Sequence, residues 1–311
     1  MRVLVAGASG VVGRALVPML VGRGHDVAGL VRTSASGLVV AELGAKPLIG
    51  DALDRVTVSH VFREFRPEVV IHQLTSLRGA TDLWNFDTVF AQTNLLRTKG
   101  TDNLLAAARE VGVGRFVAQS YCGWPYARVG GAVKTETAPL DPHPPAALRS
   151  TFEALHYLER EVEAARDVGG ISLRYGAFYG PYLKEPGGMV DLVRRRRLPV
   201  VGKGRGIWSF IHIVDVASAT VAAAEADAAG IFNVVDDEPA PVAEWLPELA
   251  KAIGARPPFH VPALVAWLLL PQHLFLMMTD IRGASNARFK RAFAWKPAFS
   301  TWRDGFRRGL D

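Results

Sequence analysis

A single cysteine, Cys122, stands among the 311 residues. No internal disulfide can form, and a reducing, cytoplasmic setting is expected. Apolar runs long enough to cross a bilayer, about 20 residues, are missing as well. The most apolar stretch, VPALVAWLLLPQHLFLMM at 261–278, is broken by Pro271, Gln272 and His273, so no membrane association is expected. There are no internal repeats or low-complexity tracts, and no metal site is expected. Charge of neither sign dominates: the net charge is +6. The arginine run at 194–197 and the basic residues of 303–308 come with no nucleic-acid-binding motif and read as solvated faces, which leaves a small molecule as the expected partner.

What is present is the composition of an ordinary globular protein, 49% hydrophobic and 21% charged, with ample length for a full core. RVLVAG at 2–7 reads as a short buried strand. GASGVVGRALVPMLVGRG follows as a tight turn and helix, and DVAGLVR as a second strand. Arg14 interrupts the apolar run, which argues for this reading over a signal peptide. Gly7, Gly10 and Gly13 sit at the turn of this β-α-β unit. Their spacing suits a tight turn, close approach of backbone to a pyrophosphate and close helix–strand packing, with the helix N-terminus supplying amide donors. Ser9 can add a hydroxyl.

The end of the second strand lacks the acidic residue that would hold a free ribose 2′-hydroxyl. Arg32 stands there instead, followed by Thr33 and Ser34. A guanidinium flanked by hydroxyls suits a 2′-phosphate, so the cofactor is read as NADP(H).

Strands and helices go on alternating: KPLIGD, VTVSHVFREF, EVVIHQLT, a long helix over about 86–112, RFVAQS, a helix at 149–162 and GISLRYG. The pattern predicts an α/β fold with a doubly wound parallel sheet of the Rossmann type. IWSFIHIVDVASATVAAAE and IFNVVDDEPAP are expected to return to the sheet. The dinucleotide-binding core is placed at 1–180, completed by about 209–235. A smaller, mostly helical substrate lobe is placed at 181–208 and 236–311. Asp51, after the third strand, is read either as meeting the adenine or as capping a helix. In RSTFEALHYLEREV at 149–162, Leu155, Leu158 and Val162 fall at helical spacing with Glu159, Arg160 and Glu161 between them.

By these pieces the chain resembles the extended short-chain dehydrogenase/reductases, the NAD-dependent epimerase/dehydratase family. GASGVVG, VVIH at 69–72, TN at 93–94, GTDNLLAAA at 100–108, LRYGAFYGP at 173–181, FIHIVDVA at 210–217 and SNARFKRAFAWKP at 285–297 occur in family order along nearly the whole chain. The resemblance implies that Gly7, Ser9, Gly10, Val11 and Val12 touch the phosphates. It implies that Asp51 and Ala52 meet the adenine, and that Leu74 and Thr75 pass the ribose. Tyr175, Gly176 and Phe178 would lie along the nicotinamide. Asn94 is read either as near the active site or as a packing residue.

The family's proton relay is missing. It needs a Ser or Thr after the fifth strand and Tyr-x-x-x-Lys on the next helix. Aligned through Leu158 and Glu159, the tyrosine position is Thr151 and the lysine position Leu155; no Tyr-x-x-x-Lys occurs anywhere. Ser120 falls one residue early and Tyr121 occupies the Ser/Thr position, so Tyr121 and Ser120 are the candidate proton-transfer groups, with Ser120 also read as a cofactor contact. In this absence the chain is similar to antibiotic-pathway polyketide ketoreductases of the angucyclinone type. That likeness implies NADPH-dependent reduction of a carbonyl on a large aromatic substrate, with the proton from the substrate's own phenol, from water or from Tyr121. Trp124, Tyr126, Trp208 and Trp267 are the expected substrate contacts. Trp208 stands where nucleotide-sugar enzymes usually carry a phosphate-binding arginine. The alternatives are an epimerase or dehydratase acting on a sugar or other small molecule, and a non-catalytic NADP-binding sensor. Relatives often dimerise through the helices near 86–112 and 146–166, which makes a homodimer a further expectation.

Overall fold

The computed structural model describes residues 1–77, 84–184 and 188–310. Seven parallel strands form the sheet: β1 (Arg2–Ala6), β2 (Asp26–Val31), β3 (Lys46–Ile49), β4 (Val69–His72), β5 (Arg115–Tyr121), β6 (Gly170–Tyr175) and β7 (Gly230–Val234). Their spatial order is β3-β2-β1-β4-β5-β6-β7. Strands β1 and β4 read as nearly unbroken apolar runs because helices cover both faces of the sheet.

On one face α1 (Val11–Gly22) and α8 (Ile213–Glu225) bury Leu16, Val17, Val216 and Ala219 against Val5, Ile71, Val117 and Leu173. The other face carries α3 (Arg55–Phe65), α5 (Thr101–Val111) and α6 (Arg149–Ala164), with Phe62, Leu104, Leu158 and Val162 against Leu4, Val70 and Phe116. Neighbouring residues such as Leu4 and Val5 serve opposite cores because side chains alternate along a strand. The short helix α2 (Ser34–Glu42) follows β2.

The expected long helix over 86–112 is two helices. α4 (Phe86–Leu95) and α5 are joined by a single π turn, Leu96–Gly100. Threonine hydroxyls bond the loosened carbonyls: Thr98 Oγ1 donates to Asn94 O at 2.9 Å and Thr101 Oγ1 to Arg97 O at 2.8 Å. Such turns tend to mark functional segments.

A third core gathers Val200, Phe210, Trp245, Leu249, Trp302 and Phe306. Around it lie α7 (Met189–Arg194), α9 (Val242–Ala252), α10 (Ala263–Leu269), α11 (Gln272–Thr279) and α13 (Trp302–Arg308). Helix α12 (Ala287–Phe293) instead packs by β7.

The expectation that 210–212 joins the sheet is corrected. Phe210–His212 pairs in parallel with Ala177–Tyr179 as a separate two-stranded ribbon. The chain leaves the sheet at Gly176, where an added Cβ would lie 2.6 Å from Ser209 O, so only glycine lets the two segments approach. The apolar stretch 261–278 divides into α10 and α11 at Pro271. Among the described residues no helix is long and apolar enough to cross a membrane.

Candidate functional site

Parallel registers bring the strand ends to one edge. Ala6 is level with His72 and with Leu30, Val31 with Ile49, His72 with Ala118, and Tyr121 with Tyr175. Gly7, Arg32, Asp51, Gln73, Tyr121 and Gly176 therefore all lie at or just beyond the carboxyl ends of the strands, where open α/β sheets bind ligands.

The glycine turn fits a dinucleotide. A Cβ on Gly7, whose φ is +98°, would meet Gln73 O at 2.7 Å, and one on Gly13 would meet Ala8 O at 2.2 Å. Backbone thus passes backbone where no side chain fits. Gly10 caps α1 without a side-chain bond and the first turn has no acidic residue, so its amides remain open to an anion. Ser9 is half-buried, Val11 is exposed and Val12 is buried beside this turn.

Arg32 is exposed at the end of β2 and makes no ion pair among the described residues. Thr33 caps α2, its Oγ1 accepting from Ser36 N–H at 3.2 Å. The capping alternative for Asp51 resolves into two residues: Asp51 Oδ1 accepts from Leu53 N–H at 2.9 Å in a tight turn, and Asp54 is the N-cap of α3. Ala52 is buried, its carbonyl taken by Asn103 Nδ2 at 2.9 Å. Leu74 N–H donates to His72 Nδ1 at 3.3 Å, and Thr75 is exposed beside it.

Helix α6 carries Thr151 and Leu155, the positions at which the resemblance led us to expect the relay. Leu148 begins α6 without a side-chain cap, and Asp87 of α4 supplies one from outside. Asp87 Oδ2 accepts from Ser150 Oγ at 3.0 Å, and Oδ1 accepts from Thr151 Oγ1 at 3.1 Å and Thr151 N–H at 3.3 Å. Asn94 Nδ2 then donates to Thr151 Oγ1 at 3.1 Å. The hydroxyl at the tyrosine position is fully buried and has its proton committed to a carboxylate. Leu155, at the lysine position, is buried and apolar.

Two expected site residues, Ser120 and Tyr126, face inward. Ser120 Oγ donates to Glu159 Oε1 at 2.6 Å, and Glu159 is paired with Arg174 through bonds of 2.7 and 2.6 Å. Both partners of this ion pair are 5% exposed. Arg174 Nη1 also donates to Tyr126 OH at 3.1 Å, and Tyr126 OH donates to Asn233 Oδ1 at 2.6 Å. Ser120 and Tyr126 thus belong to a buried polar network under α6 rather than to an open pocket, because a buried guanidinium and carboxylate need every available partner. Sequence spacing placed Glu159 next to exposed residues, but it lies one turn from Leu155 and Val162 on the inward stripe.

Tyr175 likewise turns inward. Its OH bonds Thr220 Oγ1 at 2.7 Å and accepts from Gln73 Nε2 at 3.1 Å, and burial pushes the phenol up to about 12. Gly176 N–H donates to Val234 O, and Phe178 is half-buried against the Tyr175 ring, centroids 5.6 Å apart. Tyr121 is the phenol left near the reacting edge. Burial pushes it up as well, and among the described residues no cation beside it brings it down.

The lobe side is aromatic. Phe90 stacks on Phe86 at 4.2 Å, Phe86 meets Trp124 edge-on at 6.1 Å, and Trp124 lies 6.0 Å from Tyr121. Trp208 stacks on Phe210 and ties α11 through a 2.9 Å bond from Nε1 to Met277 O. Trp267, expected against substrate, is 64% exposed on α10. The seven-residue helix is too short to bury more than Ala266.

Sequence reasoning missed Asp87, Phe86, Phe90 and Arg97. Their signals were weak: two aromatics at helical spacing, and charges that read as helix surface.

The model of the NAD dependent epimerase/dehydratase family matches residues 3–234. The chain is 44% identical over 312 positions to a 3-diazoavenalumate denitrifying reductase of a Streptomyces species, covering 99% of this chain and 100% of that one. It is 28% identical to a 4-hydroxy-2-methyl-3-oxo-4-farnesyl-3,4-dihydroquinoline-1-oxide ketoreductase of Stigmatella aurantiaca, over 82% of this chain and 74% of that one. The solved structure of Thermus thermophilus UDP-glucose 4-epimerase in complex with NAD superposes with a TM-score of 0.73 at 29% identity, covering 100% of this chain and 98% of that one. With that fold, glycine turn and match, the chain belongs to the NAD-dependent epimerase/dehydratase family of short-chain dehydrogenase/reductases.

Proposed function

We propose that this chain is an NADPH-dependent reductase that transfers hydride to an aromatic substrate and contributes no proton of its own. The observation that carries the reading is the state of the relay positions: Thr151 donates its proton to Asp87, and Leu155 is buried hydrocarbon. When bound, the reduced nicotinamide supplies the hydride. Gly7, Gly10 and the open first turn of α1 hold the pyrophosphate, and Arg32 with the N-terminus of α2 takes the 2′-phosphate. The wall of Phe90, Phe86 and Trp124 orients a flat ring and keeps water from it.

Two acceptors suit such a site. A diazo group is the better match, and the Streptomyces relative is named for denitrifying one. Hydride plus an aryldiazonium gives arene plus dinitrogen: the C–N bond breaks, its electron pair leaves with the nitrogen, and no proton is required. The second acceptor is a carbonyl beside a phenol, favoured by the ketoreductase relative. Hydride there leaves an alkoxide, which takes one proton from the substrate's phenol or from water. Epimerase or dehydratase chemistry begins by oxidising an alcohol and needs a base that these positions lack.

The test mixes protein, NADPH and either a hydroxyaryldiazonium or a phenol-flanked aryl ketone, and follows loss of the reduced-nicotinamide absorbance and release of dinitrogen. Tyr121→Phe is expected to retain turnover within about tenfold, whereas loss of a general acid costs about 10² or more. A loss of that larger size would make Tyr121 the donor. Reduction of neither acceptor, with NADPH binding intact, would overturn the reductase reading.

A further inference from the structure

Arg97 stands in the π turn between α4 and α5 and is 6% exposed. It has no carboxylate partner among the described residues. Its one side-chain hydrogen bond there is long, from Nη1 to Asn94 Oδ1 at 3.4 Å. Among the described residues the other guanidinium nitrogens make no bond. Burial alone lowers the group to about 10, so it stays charged at neutral pH. A buried cation with no carboxylate beside it among the described residues is costly. The contrast within the same molecule is sharp: Arg174, equally buried, has both oxygens of Glu159.

Its location gives this cost a use. Burial holds down the imidazole of His72, at the carboxyl end of β4, and Arg97 is near enough for its charge to add to that effect. The guanidinium of Arg97 lies 5.8 Å from the centre of the Phe90 ring. It therefore caps one end of the aromatic wall that runs through Phe86 and Trp124 to Tyr121. A flat ring laid along that wall, with an acidic group at one end, brings an anion to Arg97.

We propose that Arg97 is the anion-binding residue of the substrate pocket and that the substrate is an aromatic carboxylate. The proposal rests on the reductase reading above and deepens it. The guanidinium binds the carboxylate by donating from its remaining nitrogens and fixes which end of the ring faces the reacting edge. Asn94, held between Arg97 and Thr151, keeps the guanidinium in place.

Equilibrium titration of the NADPH-loaded protein tests this without turnover. The probes are 4-hydroxycinnamate and its methyl ester, which share a ring and differ in charge. The parent is expected to bind the acid roughly 10- to 100-fold more tightly than the ester. Arg97→Gln should abolish that preference while leaving NADPH affinity unchanged, and Arg97→Lys should keep part of it, which guards against a variant that merely misfolds. A preference for the acid that survives Arg97→Gln would overturn the proposal. So would no preference in the parent, or a loss of NADPH affinity as the main effect of the substitution. Failure of hydride transfer with the acid preference intact would sink the reductase reading and leave the anion site standing.

Discussion

Asn94 Nδ2 donates to Thr151 Oγ1 across 3.1 Å and so ties α4 to the position where the family keeps its tyrosine. The same hydroxyl donates to Asp87. One threonine thus closes a three-member chain between two helices.

Thr151→Val removes that hydroxyl without changing size. It takes one hydrogen bond each from the half-buried Asn94 Nδ2 and Asp87 Oδ1, the latter keeping the Thr151 N–H, so a loss of about 1 kcal/mol in urea-unfolding free energy is expected. The rate of hydride transfer should change less than about tenfold, since no proton from Thr151 is in use. A folded Thr151→Val protein with turnover down by orders of magnitude would return the residue to the chemistry.

Arg32→Ala tests the cofactor. Arg32 has no protein counter-ion among the described residues, so its removal should leave stability within about 0.5 kcal/mol. Losing a charged contact to phosphate should raise the KM for NADPH roughly 10- to 100-fold and hardly move that for NADH. Equal effects on the two cofactors would refute the 2′-phosphate assignment.

His72 gives a pH signature. Burial lowers its folded-state pKa to about 4, against about 6.5 in an unfolded chain. Between those values the unfolded chain binds a proton that the folded chain refuses. The stability due to neutral His72 is complete above about pH 6.5 and is lost as pH falls towards 4, about 2 kcal/mol of it by pH 5. His72→Gln should therefore close the gap to the parent by about that amount between about pH 7.5 and pH 5, as read from denaturant midpoints. A gap independent of pH would show that the imidazole does not titrate as its burial requires.

The alternation of strands and helices and the Gly7, Gly10, Gly13 turn were legible because local chemistry sets them: apolar period, tight turn, open helix end. The missing relay was legible as two residue types at two positions. The directions in which Ser120, Tyr126 and Glu159 point were not legible, since direction is decided by partners far along the chain. Ser120 and Glu159 are 39 positions apart, and Tyr126 and Asn233 are 107 apart. Arg97 could not be told from a surface arginine, because only the packed π turn shows that it is enclosed, with no carboxylate beside it among the described residues.

The enclosure of Thr151 also bears on reversibility. A tyrosine placed there would have to displace Asn94 and Asp87, undoing the external cap of α6. A lysine at 155 would put an ammonium where only hydrocarbon is now buried. Restoring the two family residues in this chain is therefore expected to give an unstable protein before it gives an alcohol-oxidising one. The helix is fitted to their absence, and the way back to the family's chemistry runs through α4 as well as α6.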